Sequence, residues 1–219
     1  MSPRDTFDKA LKDLQQDILL MASLVEQAVY DSVQSLVKLD VAGAVQVIVG
    51  DEIIDELFLE TEDKCVKLIA TQQPIARDLR VVIAGIKIML SLERMADHAV
   101  DIARSTMCLS GHSLSVKPLE YIPQMARLTQ QMIKDGLDAY VHSDVEKARA
   151  MCALDDDVDY IFAKAFRESI TCMMEDPKVV MQSAYLLSVS RYLERIADHA
   201  TNIGEAVIYL VTGERKELN

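Results

Sequence analysis

The sequence predicts an all-α protein made of two tandem three-helix bundles related by internal duplication. Three observations carry this. Leu92–Ala103 (LERMADHAVDIA) and Leu193–Gly204 (LERIADHATNIG) agree at eight of twelve positions, 101 residues apart. Upstream, Asp40, Val41, Ala44, Asp51 and Asp55 match Asp144, Val145, Ala148, Asp155 and Asp159, 104 residues apart. The third is composition. Half the chain is apolar, with only 7 Gly, 5 Pro and no Trp, so helix formers abound and breakers are few.

Breakers and periodicity place six helices at about 5–39, 41–72, 75–109, 119–142, 145–174 and 178–212. Asp40 and Asp144 are N-cap candidates for the second and fifth. Pro74 and Pro177 stand where the third and sixth should start, since Pro is tolerated at the first helical position. Asp176 is a natural cap before Pro177. The polar, Gly-containing run Ser110–Pro118 (SGHSLSVKP) reads as the linker. It gives a first bundle over 1–110 and a second over 118–213. Leu92, Met95, Ala96, Ala99 and Ile102 form an apolar stripe at spacings of three and four, which must face a core. Short connections before each proline make neighbouring helices antiparallel. The 11 methionines are read mainly as core filler.

The net charge is −12, which excludes a phosphate backbone as an electrostatic partner. The 12-residue N-terminus is mostly polar, without the apolar stretch of a signal peptide. No run reaches the ~18 apolar residues of a membrane span. The expectation is a cytoplasmic protein that meets a membrane only through partners. Cys65, Cys108, Cys152 and Cys172 are scattered and read as buried free thiols.

The acids carry the chemistry. Glu93, Asp97 and Asp101 recur every four residues, as do Asp51 and Asp55, Asp155 and Asp159, and Glu194 and Asp198. Each set makes one stripe on its helix. Asp51 and Asp55 lie 22 and 18 residues before Gln73, and Glu93 and Asp97 lie 20 and 24 after it. In an antiparallel pair these acids reach similar heights, and the second half repeats the pattern around Asp176. Facing carboxylates repel, and a multivalent cation would offset that. Hard oxygen donors suit Mg²⁺, Ca²⁺ or Mn²⁺, and iron is compatible with them. The alternative is a solvated face paired with Arg94, Arg195, Arg80 and Lys87. His98 and His199 follow Asp97 and Asp198 directly. They could add nitrogen ligands, or serve packing or hydrogen bonding from ~100° round the helix. His112 and His142 have no acidic constellation and read as surface residues. No Gly-rich phosphate loop, GxSxG, HExxH or nucleophile–base pair is present, and the Glu-x-x-His of di-iron bundles is missing.

Tandem units, each with an acidic pair on one helix and an LERxxDxxx(D/N)I run on another, resemble the PhoU family. QPIARDLR from Gln73 to Arg80 and MMED from Met173 to Asp176 add to the likeness, which covers nearly the whole chain. The resemblance implies bound metal, in multinuclear clusters, with one site per bundle and iron, Zn, Mn or Mg as candidates. Its ligand set would be Asp51, Asp55, Glu93, Asp97 and Asp101 in one half and Asp155, Asp159, Glu194, Asp198 and Glu205 in the other. His98, His199 and Asn202 are possible additional ligands. Two positions depart from symmetry: Arg104 stands where the second half has Glu205, and Asn202 replaces an acid. The resemblance also implies a role without catalysis. Such a protein is an adaptor between a phosphate ABC transporter's ATPase and a phosphate-sensing histidine kinase, a homodimer, and a negative regulator when phosphate is plentiful. A PhoU-like regulator of another transporter or pathway, or a carboxylate-bridged metalloenzyme, are the alternatives.

Overall fold

A computed structural model describes residues 3–112 and 117–215. The middle of the expected linker, 113–116, lies outside them. Helices α1 (Pro3–Lys38), α2 (Val41–Gln72) and α3 (Arg77–Leu109) form the first repeat. A 3₁₀ turn, Lys117–Glu120, leads into α4 (Ile122–His142), α5 (Val145–Cys152) and α6 (Asp155–Glu175). A second 3₁₀ turn, Pro177–Val179, opens α7 (Val180–Thr212). Among the described residues there is no strand.

The duplication is visible in the turns. Leu39 and Ser143 both take the left-handed conformation, at φ 52° and 54°. The amide of Asp40 donates to the carbonyl of Ser35 at 2.8 Å, and that of Asp144 to Ala139 at 2.9 Å. These six-to-one bonds satisfy helix-end carbonyls. Asp40 then accepts from the amide of Gly43 at 3.1 Å, and Asp144 from Lys147 at 3.0 Å. Both expected N-caps are therefore made, and so is the third, Asp176 accepting from Lys178 at 2.9 Å.

Three local expectations need correction. The fifth helix is not continuous: it breaks into α5 and α6 at Ala153–Leu154. The break places Asp155, Asp156 and Asp157 in the first turn of α6, where negative charge meets the positive end of the helix dipole. In the first repeat Gly50 occupies the position of Leu154, the acids Asp51 and Glu52 follow, and α2 runs straight through. Pro74 does not start α3. Gln73 and Ala76 adopt positive φ, and the helix begins at Arg77. The cysteines are all free, but only Cys65 and Cys152 are buried; Cys172 is half-buried and Cys108 exposed. Cys108 lies near the end of α3 on the outer face, while Ser105, Thr106 and Leu109 take the inner one. Methionine divides similarly. Met21, Met89, Met95, Met125, Met132 and Met151 are core, whereas Met107, Met174 and Met181 are exposed.

The two bundles share one continuous core. The most extensive helix pairing in the molecule is α3 against α7, one helix from each repeat. They run antiparallel: the Arg80 guanidinium lies against Gly213, Lys87 over the Tyr209 ring, and His98 against His199. Leu92, Met95, Ala96 and Ala99 of α3 and Leu193, Ile196, Ala197 and Ala200 of α7 are all buried. Small residues at the crossing let the two backbones approach. α1 and α2 cover the other faces of α3, and α4, α5 and α6 those of α7.

Candidate metal centres

Each acidic stripe sits at the edge of an apolar one, so helix packing leaves it half-shielded from water. In the first repeat Asp51, Glu93, Asp97 and Asp101 are half-buried and Asp55 is exposed. Burial pushes the Asp51 carboxyl up to about 6, and the Asp55 and Asp97 carboxylates push the same way while Arg104 opposes them. Glu93 is raised by burial and then by Asp97, with Arg94 acting against. Asp51 and Asp55 of α2 thus share a field with Glu93 and Asp97 of α3, as residue counting requires of antiparallel neighbours.

The second repeat carries the same arrangement more deeply. Glu194 is 8% exposed. Its carboxyl is pushed to about 7 by burial and then by Asp198, against the pull of Arg191. Asp155 is raised to about 6 by burial, then by Asp159 and Asp198. Asp198 is raised by burial, with Arg195 opposing and Asp159 reinforcing. Asp155, Asp156, Asp159 and Asp198 line an open depression of about 440 Å³, with Arg149 and Cys152 on its wall.

Not every expected residue joins these groups. Asp101, one turn beyond Asp97, is bound by Arg104 at 3.3 Å. Glu205 is half-buried and acts on the Cys152 thiol together with Asp155. His98 and His199 lie in the α3–α7 contact. Their rings stack with centroids 5.9 Å apart, and Tyr192 stacks on His98 at 5.8 Å. Exposed Asn202 has its amide nitrogen 3.4 Å from His199 Nδ1. His112 and His142 are exposed as expected, yet His142 does meet an acid, Asp138, one turn earlier at 3.1 Å.

The arginines divide. Arg94 pairs with Glu93 at 3.3 Å and Asp97 at 3.0 Å, and Arg195 acts on Glu194 and Asp198, as expected for a solvated face. Arg80 and Lys87 do not serve the carboxylates; both face the C-terminal end of α7. The cation missed from the sequence is Arg191, which bonds Glu194. Its position three residues before Glu194 was the available signal. Asp156, missed from the depression, belongs to the Asp155–Asp157 run.

The donor set suits a hard cation. Glu93 Oε2, Asp155 Oδ1 and Glu194 Oε2 are buried and have no hydrogen-bond partner. The Arg94 guanidinium beside Glu93 Oε2 is too poorly aligned to supply one. Such groups are expensive to leave unsatisfied, and a cation satisfies a carboxylate oxygen. Among the described residues no three His, Cys, Asp or Glu side chains are gathered closely enough to cage an ion as they stand. The carboxylates form open facing rows.

The PhoU domain family matches residues 18–106 and 122–207, one domain per repeat. A phosphate-specific transport system accessory protein PhoU homologue of Clostridium acetobutylicum is 43% identical over 219 residues, covering 99% of each chain. The homologue of Rhizobium meliloti is 37% identical, covering 96% of this chain and 89% of its own length. The crystal structure of PhoU from Pseudomonas aeruginosa superposes with a TM-score of 0.92 at 36% identity, over 95% of this chain and 100% of that one. The phosphate transport system regulatory protein PhoU from Streptococcus pneumoniae gives 0.89 at 30% identity, over 96% and 99%.

Proposed function

Because this chain belongs to the PhoU family, we propose that it is a metal-binding regulator of phosphate uptake and phosphate-starvation signalling. It works as an adaptor between a phosphate transporter's ATPase and a phosphate-sensing histidine kinase, and holds starvation signalling off while phosphate is plentiful. The observation that carries the reading is end-to-end similarity to accessory proteins of phosphate transport, at 43% identity over 99% of both chains. Both repeats are matched, so the whole architecture is retained. No helix of the described residues is long and apolar enough to cross a membrane, which fits a protein that reaches a transporter through contact. The family is a regulatory one, and the role needs no catalytic step.

Metal enters this reading through the two facing carboxylate rows. Asp51, Asp55, Glu93 and Asp97 would hold one site, and Asp155, Asp159, Glu194 and Asp198 the other. A bound cation would neutralise repulsion that the fold otherwise carries, so its role here is structural or at a contact surface. Asp101, Glu205, His98, His199 and Asn202 lie at the margins of these rows. Self-association as a dimer belongs to the same proposal.

The decisive experiment is deletion of the gene. Starvation-responsive promoters, measured by transcript level in rich phosphate, should switch on, and expression of the intact chain should silence them again. Unchanged transcripts would overturn the phosphate assignment.

A further inference from the structure

The chain carries 35 acidic residues against 23 Lys and Arg, so cations without an acidic partner stand out. Four of them gather where the start of α3 meets the end of α7. The Arg80 guanidinium lies against Gly213. Lys87 Nζ is 5.5 Å from the centroid of the Tyr209 ring, and the Arg215 guanidinium carbon is 5.6 Å from the same centroid. Exposed Arg77 stands one turn before Arg80. Among the described residues none of the four forms a salt bridge, and Arg80 Nε is buried without an acceptor. Ile75, 78% exposed, borders them in the turn before α3.

The fold explains part of this placement. Partial negative charge on the last carbonyls of α7 attracts Arg80. The Tyr209 ring attracts Lys87 and Arg215. A ring face holds a cation without consuming its N–H donors, so both are positioned with hydrogen-bonding capacity to spare. Donors already held in place lose less freedom on binding than mobile ones. The duplication supplies a control. By the 101-residue offset Arg80 corresponds to Met181, Lys87 to Ser188 and Tyr209 to Cys108, and of these matched positions only Lys178, opposite Arg77, is still basic. The α3–α7 seam carries the cation cluster at one end and lacks it at the other.

We infer that this end of the molecule is a docking surface for an extended acidic segment of a protein partner. The inference adds a contact to the adaptor reading and rests on it only for what the partner does in the cell. Length favours a segment over a small anion: Arg77 to Lys87 spans ~15 Å of α3, the reach of about five extended residues. Carboxylates suit the two arginines of α3, whose planar guanidinium groups donate paired hydrogen bonds to them. Ile75 offers the segment an apolar contact beside the charges. Charge elsewhere narrows the choice. An anionic bilayer or a nucleic acid is a broad field of negative charge and would also meet the rest of a chain at −12, whereas a short acidic segment meets only the cations. Complementary charge of this kind fixes register and speeds encounter.

The test titrates the isotope-labelled full chain with a peptide of about eight residues alternating Glu and Ser, at low ionic strength, and follows amide chemical shifts. Shifts should concentrate in the first turns of α3 and the last turn of α7. Lys87→Gln with Arg215→Gln, both exposed, should weaken binding about tenfold, and added salt should weaken it in the parent chain. Arg77→Gln alone should act in the same direction and serves if the pair does not fold. Arg167→Gln, which removes an exposed cation of α6, should leave the affinity within about twofold. A Lys/Ser peptide should not shift these residues. Shifts confined to other regions, or equal affinity in the parent chain and the double variant, overturn the inference. So does sedimentation of the parent chain, and not the double variant, with phosphatidylglycerol vesicles, because the surface would then meet lipid. A dimer of the parent chain that the double variant splits overturns it as well, since a second copy would be the occupant. Peptide binding that depends on these cations, together with an unchanged deletion phenotype, would reject the phosphate assignment and leave the docking surface standing.

Discussion

His98 of α3 stacks on His199 of α7 with ring centroids 5.9 Å apart and an interplanar angle of 28°, and the two are the same position of the two repeats. The duplicated motif therefore meets itself at the centre of the molecule. The carboxylate rows lie on either side, close enough that His98 is felt by Asp198.

The stack makes stability fall in acid. Burial holds His199 down at about 4, with the His98 and Arg195 charges adding to it, and lowers His98 as well. A base depressed in the fold contributes stability that is present above its unfolded value of ~6.5 and lost as pH falls towards the folded value. His199→Gln should therefore flatten the decline between pH 6.5 and 4, by about 1–2 kcal/mol after allowance for its partial exposure. Urea midpoints of parent and variant across that range check this.

The carboxylates act with the opposite sign. In chelator-treated protein Asp51, Asp155 and Glu194 hold their protons to about 6, 6 and 7. Folded carboxyls raised in this way favour the fold while protonated, and that advantage fades as pH rises from ~4 through those values. Asp155→Asn should remove part of this loss and leave the stripped protein about 1 kcal/mol more stable at pH 8 relative to parent. Equal urea midpoints for parent and variant at pH 8 would count against the desolvated row.

Metal should restore what the carboxylates lose. Calorimetry on stripped protein is expected to find two separate sites for a divalent or trivalent ion, with Mg²⁺, Mn²⁺, Zn²⁺ and iron each tried. Asp97→Asn should abolish one and Asp198→Asn the other. Loading at ~100 times Kd should stabilise the fold by about 2.7 kcal/mol per site, seen as a higher melting temperature. No heat of binding and no shift with any of the ions would assign the acids to a solvated face.

Two glycines separate packing from propensity. A Cβ on Gly204 would lie 2.6 Å from Cys152 Sγ and 2.9 Å from Met151 Cε, so Gly204→Ala should destabilise by about 1–3 kcal/mol. Gly50 sits in α2 with open space around it. Gly50→Ala should stabilise by about 0.5–1 kcal/mol, as Ala does for Gly in a helix interior. Denaturant midpoints at neutral pH read both.

The sequence by itself determined the all-helical class, the duplication and which acids face each other. Each depends on short-range rules: a carboxylate every fourth residue makes a stripe, an Asp before a helix caps it, and equal counts from an antiparallel turn give equal heights. The caps at Asp40, Asp144 and Asp176 were legible for that reason, as was the pairing of Asp51 and Asp55 with Glu93 and Asp97. Tertiary structure alone decided how the repeats join. Nothing in the spacing says that α3 packs on α7 instead of solvent, because an apolar stripe specifies burial without naming its partner. That packing decides that His98 and His199 meet one another in the centre, and that Arg80 and Lys87 turn to the end of α7. It also fixed depth. Glu93 and Glu194 are the same residue in the same motif, yet Glu194 is only 8% exposed while Glu93 is half-buried. Local periodicity sets which way a side chain points from its own helix, and only the neighbouring helices set how much water remains there.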